Sequence, residues 1–183
     1  MTAVNYDKLR DNLIYTIKES QIKIGYTPNA VRLNYPVDSL NRLLGTNCST
    51  AEMREVLEGF CVYAADTLGK ISVGMFEGRF CITVPAEGVA FVHENVRDSG
   101  FLTELIGLFR EHHHSMTMED ILRVFRKYSD AVVCRESDND EFNYVVYFEN
   151  GEPDDFVYCI ELLFGHASYH RLTKEDFAAL TES

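Results

Sequence analysis

The strongest constraint on what this chain can fold into is an order of local signals between Tyr6 and Pro85: helix, short strand, helix, longer helix, then a two-stranded hairpin. Tyr6, Leu9, Leu13 and Ile17 recur at three- and four-residue intervals, the spacing that puts side chains on one face of a helix. Gly25 and Pro28 end that helix, which fades near Ile22. Val31 and Leu33 alternate with Arg32 and Asn34, so residues 30–34 read as a strand stopped by Pro36. Val37, Leu40, Leu43 and Leu44 mark a short helix closed by Gly45. Ser49 stands three residues before Glu52, a capping box that satisfies free amide donors at a helix start. Met53, Val56, Leu57, Phe60 and Ala64 then form the apolar stripe of a helix that ends at Gly69. Beyond it, Ile71, Val73 and Met75 face Phe80, Ile82 and Val84 across a turn at Glu77-Gly78, the pattern of a half-buried hairpin.

This order is the plan of a winged helix, in which the third helix and the hairpin wing usually grip DNA. Residues 1–97 therefore read as a winged-helix-like domain, with residues 85–96 as a short connecting helix. Residues 98–183 read as a second, acidic α+β domain, and the expected fold class is α+β throughout. In this second half Leu102, Leu105, Ile106 and Phe109 define one amphipathic helix. A Thr117/Asp120 cap opens another through Ile121, Leu122, Phe125 and Tyr128. Strands are expected at 132–135, 143–148, 156–163 and 168–172, and Thr173 with Asp176 caps a last helix through Phe177 and Leu180. Two readings of this half stay open. The interval from Ser49 to Pro85 equals that from Thr117 to Pro153, 36 residues, which suits a modified second winged helix. The hairpin turns do not coincide in that register, which suits an unrelated α+β unit.

Charge argues against the usual function of the architecture. The third helix carries Glu52, Glu55, Glu58 and Asp66 against Arg54 alone, and the wing tip offers Arg79. Non-specific DNA affinity comes almost entirely from cations on phosphates, so nucleic acid is disfavoured as a partner. The net charge of −12 is uneven: residues 1–97 hold ten Lys/Arg and eleven Asp/Glu, residues 98–183 seven and eighteen. Such a field repels phosphate backbones and steers basic partners.

Enzyme signatures are missing. Gly69-Lys70 is not a phosphate loop, because Ile71 replaces the required Ser/Thr and Ala64 the first glycine. His93-Glu94 lacks the second histidine of a zinc protease, since Arg97 stands there. His112, His113 and His114 point about 100° apart on a helix and cannot jointly hold one ion unless the helix has unwound; they read as favourable charge at a helix C-terminus, and His166 and His170 could join them only through a tertiary contact. Asp138, Asn139, Asp140 and Glu141 read as a solvated turn, as do Asp154 and Asp155. The five cysteines, widely spaced and without a Cys-x-x-Cys pair, read as reduced core residues. No catalytic residue, metal site or cofactor is expected. Residues 1–12 mix charges with no apolar block, so neither a signal peptide nor a membrane span is expected, and a cytoplasmic location is.

The strand aromatics point elsewhere. Tyr144, Val146 and Phe148 oppose Val145 and Tyr147, so both faces of the second sheet are apolar. Helices should cover one face, and the first half, a second chain or a ligand the other. Tyr144, Tyr147, Phe156 and Tyr158 are the candidate partner-binding residues.

The segments Ile24-Gly25-Tyr26, Leu33-Asn34-Tyr35-Pro36, Ser39-Leu40, Leu43-Leu44-Gly45, Tyr128-Ser129-Asp130 and Tyr169-His170-Arg171 resemble a bacterial domain-of-unknown-function family from Gram-positive gut anaerobes. That resemblance covers most of the chain and implies no site residues. In architecture rather than motif, two winged-helix halves in a small acidic protein also resemble the bacterial segregation-and-condensation protein B, a non-enzymatic adaptor that binds a segment of another protein. The expectation is a non-catalytic protein-interaction or adaptor module, its partner another protein or a second copy. The alternatives are a winged-helix DNA-binding transcriptional regulator and a small-molecule or metal-binding sensor or enzyme.

Overall fold

A computed structural model describes residues 4–111 and 115–181. The chain divides into two compact units, Met1–Arg97 and Asp98–Ser183, and the fold is α+β with an antiparallel sheet in each.

The first unit runs α1 (Tyr6–Ile24), β1 (Val31–Tyr35), α2 (Val37–Leu44), α3 (Thr50–Leu68), β2 (Ser72–Phe76), β3 (Arg79–Val84) and α4 (Ala86–Asn95). Its strand order is β1-β3-β2. Local chemistry sets the boundaries. Asn5 caps α1 by accepting from the Lys8 amide at 3.1 Å. At α3 the Ser49 amide donates to Glu52 Oε2 at 2.8 Å while the Glu52 amide donates to Ser49 Oγ at 3.4 Å, which completes the capping box. The hairpin turns on Glu77 and Gly78, both at positive φ (48° and 76°), the two-residue turn whose twist matches its strands.

Leu9, Leu13 and Ile17 of α1, Leu40 and Leu44 of α2, Met53, Leu57 and Phe60 of α3, and Phe80, Ile82 and Val84 of β3 meet in one buried core. Each such side chain contributes about 1.5–3 kcal/mol relative to exposure. Gly88 lets α4 approach α3: a Cβ there would lie 2.3 Å from the Leu68 carbonyl oxygen. Toward the hairpin tip the alternation stops burying side chains, and Met75 is exposed although it shares the face of Val73.

The second unit runs α5 (Phe101–Glu111), α6 (Met118–Tyr128), β4 (Val132–Glu136), β5 (Tyr144–Phe148), β6 (Val157–Leu163), β7 (His166–Leu172) and α7 (Lys174–Thr181). The strands form a meander in the order β4-β5-β6-β7. This is not a repeat of the first unit. There, β1 precedes α2 and pairs with β3 of the hairpin; here the strands follow α6 without interruption and pair in sequence order.

One face of the meander meets α5 and α6 through an aromatic cluster. Phe101 of α5 packs edge-on against Phe125 at 4.8 Å, Phe148 at 4.9 Å and Tyr158 at 5.8 Å between ring centroids. Such pairs add about 0.5–1.5 kcal/mol each beyond the area they bury. The other face carries Val145, Val157 and Cys159, covered in part by Phe177 of α7. The cover expected from another chain, a ligand or the first half thus comes in part from the unit's own last helix. Asn143 extends the β5–β6 ladder with its side chain, donating to the Leu162 carbonyl and accepting from the Leu162 amide, both at 2.9 Å.

The cysteines are free, but only Cys159 is a core residue; Cys134 is exposed and Cys48, Cys61 and Cys81 are half-buried. Burial without a charged partner pushes the Cys159 thiol up to about 11.

Candidate functional site

The outward side of α3 is built by what its core stripe leaves over. With Met53, Leu57, Phe60, Ala64 and Leu68 turned inward, the residues Glu55, Glu58, Val62 and Asp66 fall at intervals of three and four on the exposed side. Val62 is 79% exposed in the middle of these carboxylates. Beside the stripe, Tyr63 donates to Asp7 Oδ1 at 2.5 Å and accepts from Arg10 Nη1 at 3.0 Å. The bond to Asp7 holds the Tyr63 phenol above its ordinary pKa. Arg10 lies 3.0 Å from Asp7 and 2.9 Å from Asp11, so its charge is matched by two carboxylates and adds little to attract an anion. The β2–β3 hairpin adds exposed Met75 and Phe76, the latter 62% accessible.

In the second unit, α5 and α6 enclose a cleft of about 730 Å³ lined by Glu104, Glu119, Asp120, Arg123 and Lys127. These groups pair among themselves: Lys127 with Glu104 at 2.6 Å, Arg126 with Glu119 at 3.2 Å, Arg123 with Asp120 at 3.4 Å. Donation from Lys127, and then from the Tyr128 phenol, holds the Glu104 carboxyl below the usual range.

The structure does not bring the four candidate aromatics into one surface. Tyr158 is fully buried in the aromatic cluster and has no face to offer a partner. Phe156 is half-buried with the Arg171 guanidinium 3.8 Å from its ring centroid. Tyr144 and Tyr147, three residues apart on β5, project from opposite faces of the sheet. Tyr147 shares its face with Val145 and accepts from Arg135 Nη2 at 2.8 Å. Alternation alone could not assign these roles, because with both faces apolar it does not say which one the helices take.

Asp154 is the residue that turn chemistry misreads. It is not a solvated turn residue: its Oδ2 accepts from Arg171 Nη2 at 2.8 Å and from the Tyr158 phenol at 3.0 Å, and its Oδ1 from the Phe156 amide at 3.0 Å. The Asp154 and Arg171 side chains are 8% and 6% exposed. Asp138, Asp140 and Glu141 do lie on an exposed turn, where Asn139 Oδ1 accepts from the Glu141 amide. His112, His113 and His114 lie outside the described residues. His166 and His170 are exposed on β7, and among the described residues no three His, Cys, Asp or Glu stand together as a metal site. Sequence reading also passes over Phe164. It is 100% exposed at φ 52° in the β6–β7 turn, a conformation bulky residues rarely adopt.

The molecule these features define is an α+β chain with two antiparallel sheets whose exposed chemistry is acidic and apolar. A family model described as "Domain of unknown function, E. rectale Gene description (DUF3877)" matches residues 6–181, and the chain belongs to that family. This bears out the resemblance to a family of gut anaerobes. No curated protein and no solved structure matches the chain. Among the described residues no helix is long and apolar enough to cross a membrane.

Proposed function

We propose that this protein is a non-catalytic interaction module whose first unit is of winged-helix type and turns an acidic, apolar-anchored helix face toward a basic segment of another protein. The observation that carries this reading is the exposed stripe Glu55, Glu58, Val62 and Asp66 on α3. In a winged helix this is the helix that would enter the major groove, and carboxylates there oppose phosphates. The same carboxylates suit lysine and arginine side chains. Exposed pairs contribute roughly 0.2–1 kcal/mol each, so charge would set on-rate and register, while Val62 and the wing residues Met75 and Phe76 supply apolar area. The partner is another protein or a second copy of the chain, and the location is the cytoplasm.

The strand order β1-β3-β2 with its hairpin keeps a DNA-binding regulator as the second reading. A duplex titration separates the two. The adaptor reading expects no duplex binding at about 0.15 M salt, where screening removes weak long-range attraction. Binding that persists there, with a sequence preference, would establish the regulator instead.

A further inference from the structure

The outer face of the second sheet carries a groove beside α7. Helix α7 packs against β7 and lays Phe177 over Val145, Val157 and Cys159, which it leaves 5%, 3% and 0% exposed. Between Phe177 and the β4 edge lies an open groove of about 360 Å³ lined by Arg135, Val145, Tyr147, Val157, Lys174 and Phe177, with Glu136 and Ser137 along its β4 side. Its floor of Val145, Val157 and Phe177 is apolar and its rim carries the polar side chains Arg135, Glu136, Ser137, Tyr147 and Lys174, an apolar floor with convergent polar groups as in a small-molecule site.

Charge selects the ligand. The second unit has eleven more carboxylates than cations, yet this groove has two cations and one carboxylate. Elsewhere in the unit Arg123, Arg126, Lys127 and Arg171 each sit on a carboxylate, and at the groove Lys174 meets Asp155 at 2.5 Å. Arg135 is held differently. Its Nη2 donates to a neutral phenol, Tyr147 Oη, and its guanidinium carbon lies 5.6 Å from that ring's centroid. A guanidinium so held keeps its charge and two or more of its five donors for a planar anion. Tyr147 orients it over the apolar floor.

We infer that this groove binds a small amphipathic carboxylate, with its apolar body on Val145, Val157 and Phe177 and its carboxylate on Arg135. This assignment concerns the second unit and does not rest on the interaction proposed for α3, so either can fail alone.

The test uses the full chain, with phenylacetate and its neutral twin phenylacetamide as probes and amide-proton NMR as the readout. The expected result is that phenylacetate shifts the amides of Arg135, Val145, Val157 and Phe177, and binds about tenfold more tightly than phenylacetamide, as befits a charge-assisted hydrogen bond. Arg135→Gln should abolish that difference and leave the weak binding of the amide unchanged, whereas Arg135→Lys should retain part of it. Equal binding of acid and amide to the unaltered protein would overturn the inference. So would shifts confined to other surfaces, or none at millimolar probe.

Discussion

Removing the Asp154 carboxylate should damage the second unit more than any surface change of similar size. Asp154→Ala removes the carboxylate that pairs with the Arg171 guanidinium, 6% exposed, and that accepts from the Tyr158 phenol and the Phe156 amide. Breaking a buried pair from one side costs about 3–5 kcal/mol, because the surviving charge stays desolvated. A unit of this size has a total stability on the order of 5–10 kcal/mol. With a urea slope of about 1 kcal/mol per molar, the circular-dichroism midpoint of the second unit should fall by about 3–5 M. Asp154→Asn keeps an acceptor for the Phe156 amide and should cost less. The double change Asp154→Ala/Arg171→Met should recover much of the loss, since replacing both members of a buried pair by apolar groups is often close to neutral. A midpoint shift for Asp154→Ala worth under about 1 kcal/mol would refute the reasoning, because water would then be supplying what the ion pair is held to supply.

Three further outcomes follow from local geometry. Ser49→Ala should destabilise the first unit by about 1 kcal/mol. It should also raise the Glu52 pKa, which donation from the Ser49 hydroxyl and amide now holds low. Stability from that box is present above the ordinary glutamate range and lost as pH falls through the lowered value, so an NMR titration of Glu52 in both proteins checks cause and sign. Phe164→Asn should raise the thermal midpoint by an amount equivalent to about 1 kcal/mol: Asn tolerates positive φ, and a fully exposed ring has no packing to lose. In mass-spectrometric alkylation of the native protein, exposed Cys134 should react first, and Cys159 only on unfolding, because burial both shields it and keeps it a thiol.

The part of the fold legible in the sequence is the part written in short-range signals. The Ser49/Glu52 and Thr117/Asp120 boxes each lie within four residues, and both close as expected, with Thr117 Oγ1 bonded to Asp120 Oδ2 at 2.5 Å. The Glu77-Gly78 turn likewise fixes its own register, pairing Phe76 with Arg79. What escaped was long-range. Asp154 looks like any aspartate after a proline until the β6–β7 register sets Tyr158 opposite Arg171 and brings the guanidinium over it. The fate of Tyr144, Tyr147 and Tyr158 depended on which face α5 and α6 would choose, a matter of tertiary packing that period-two alternation does not encode. The acidic face of α3 needed only helical periodicity, so its row of carboxylates was legible in the sequence.

The most direct test of the interaction reading is to map a short amphipathic Lys/Leu peptide onto the full chain by amide-proton NMR at about 0.15 M salt, where distant charges are screened. Non-specific attraction would favour residues 98–183, which carry eleven of the twelve net negative charges. The account predicts instead that shifts centre on Glu55, Glu58, Val62 and Asp66 and vanish in Glu55→Lys/Glu58→Lys. Shifts confined to residues 98–183, or a DNA duplex occupying the α3 face at the same salt, would contradict it.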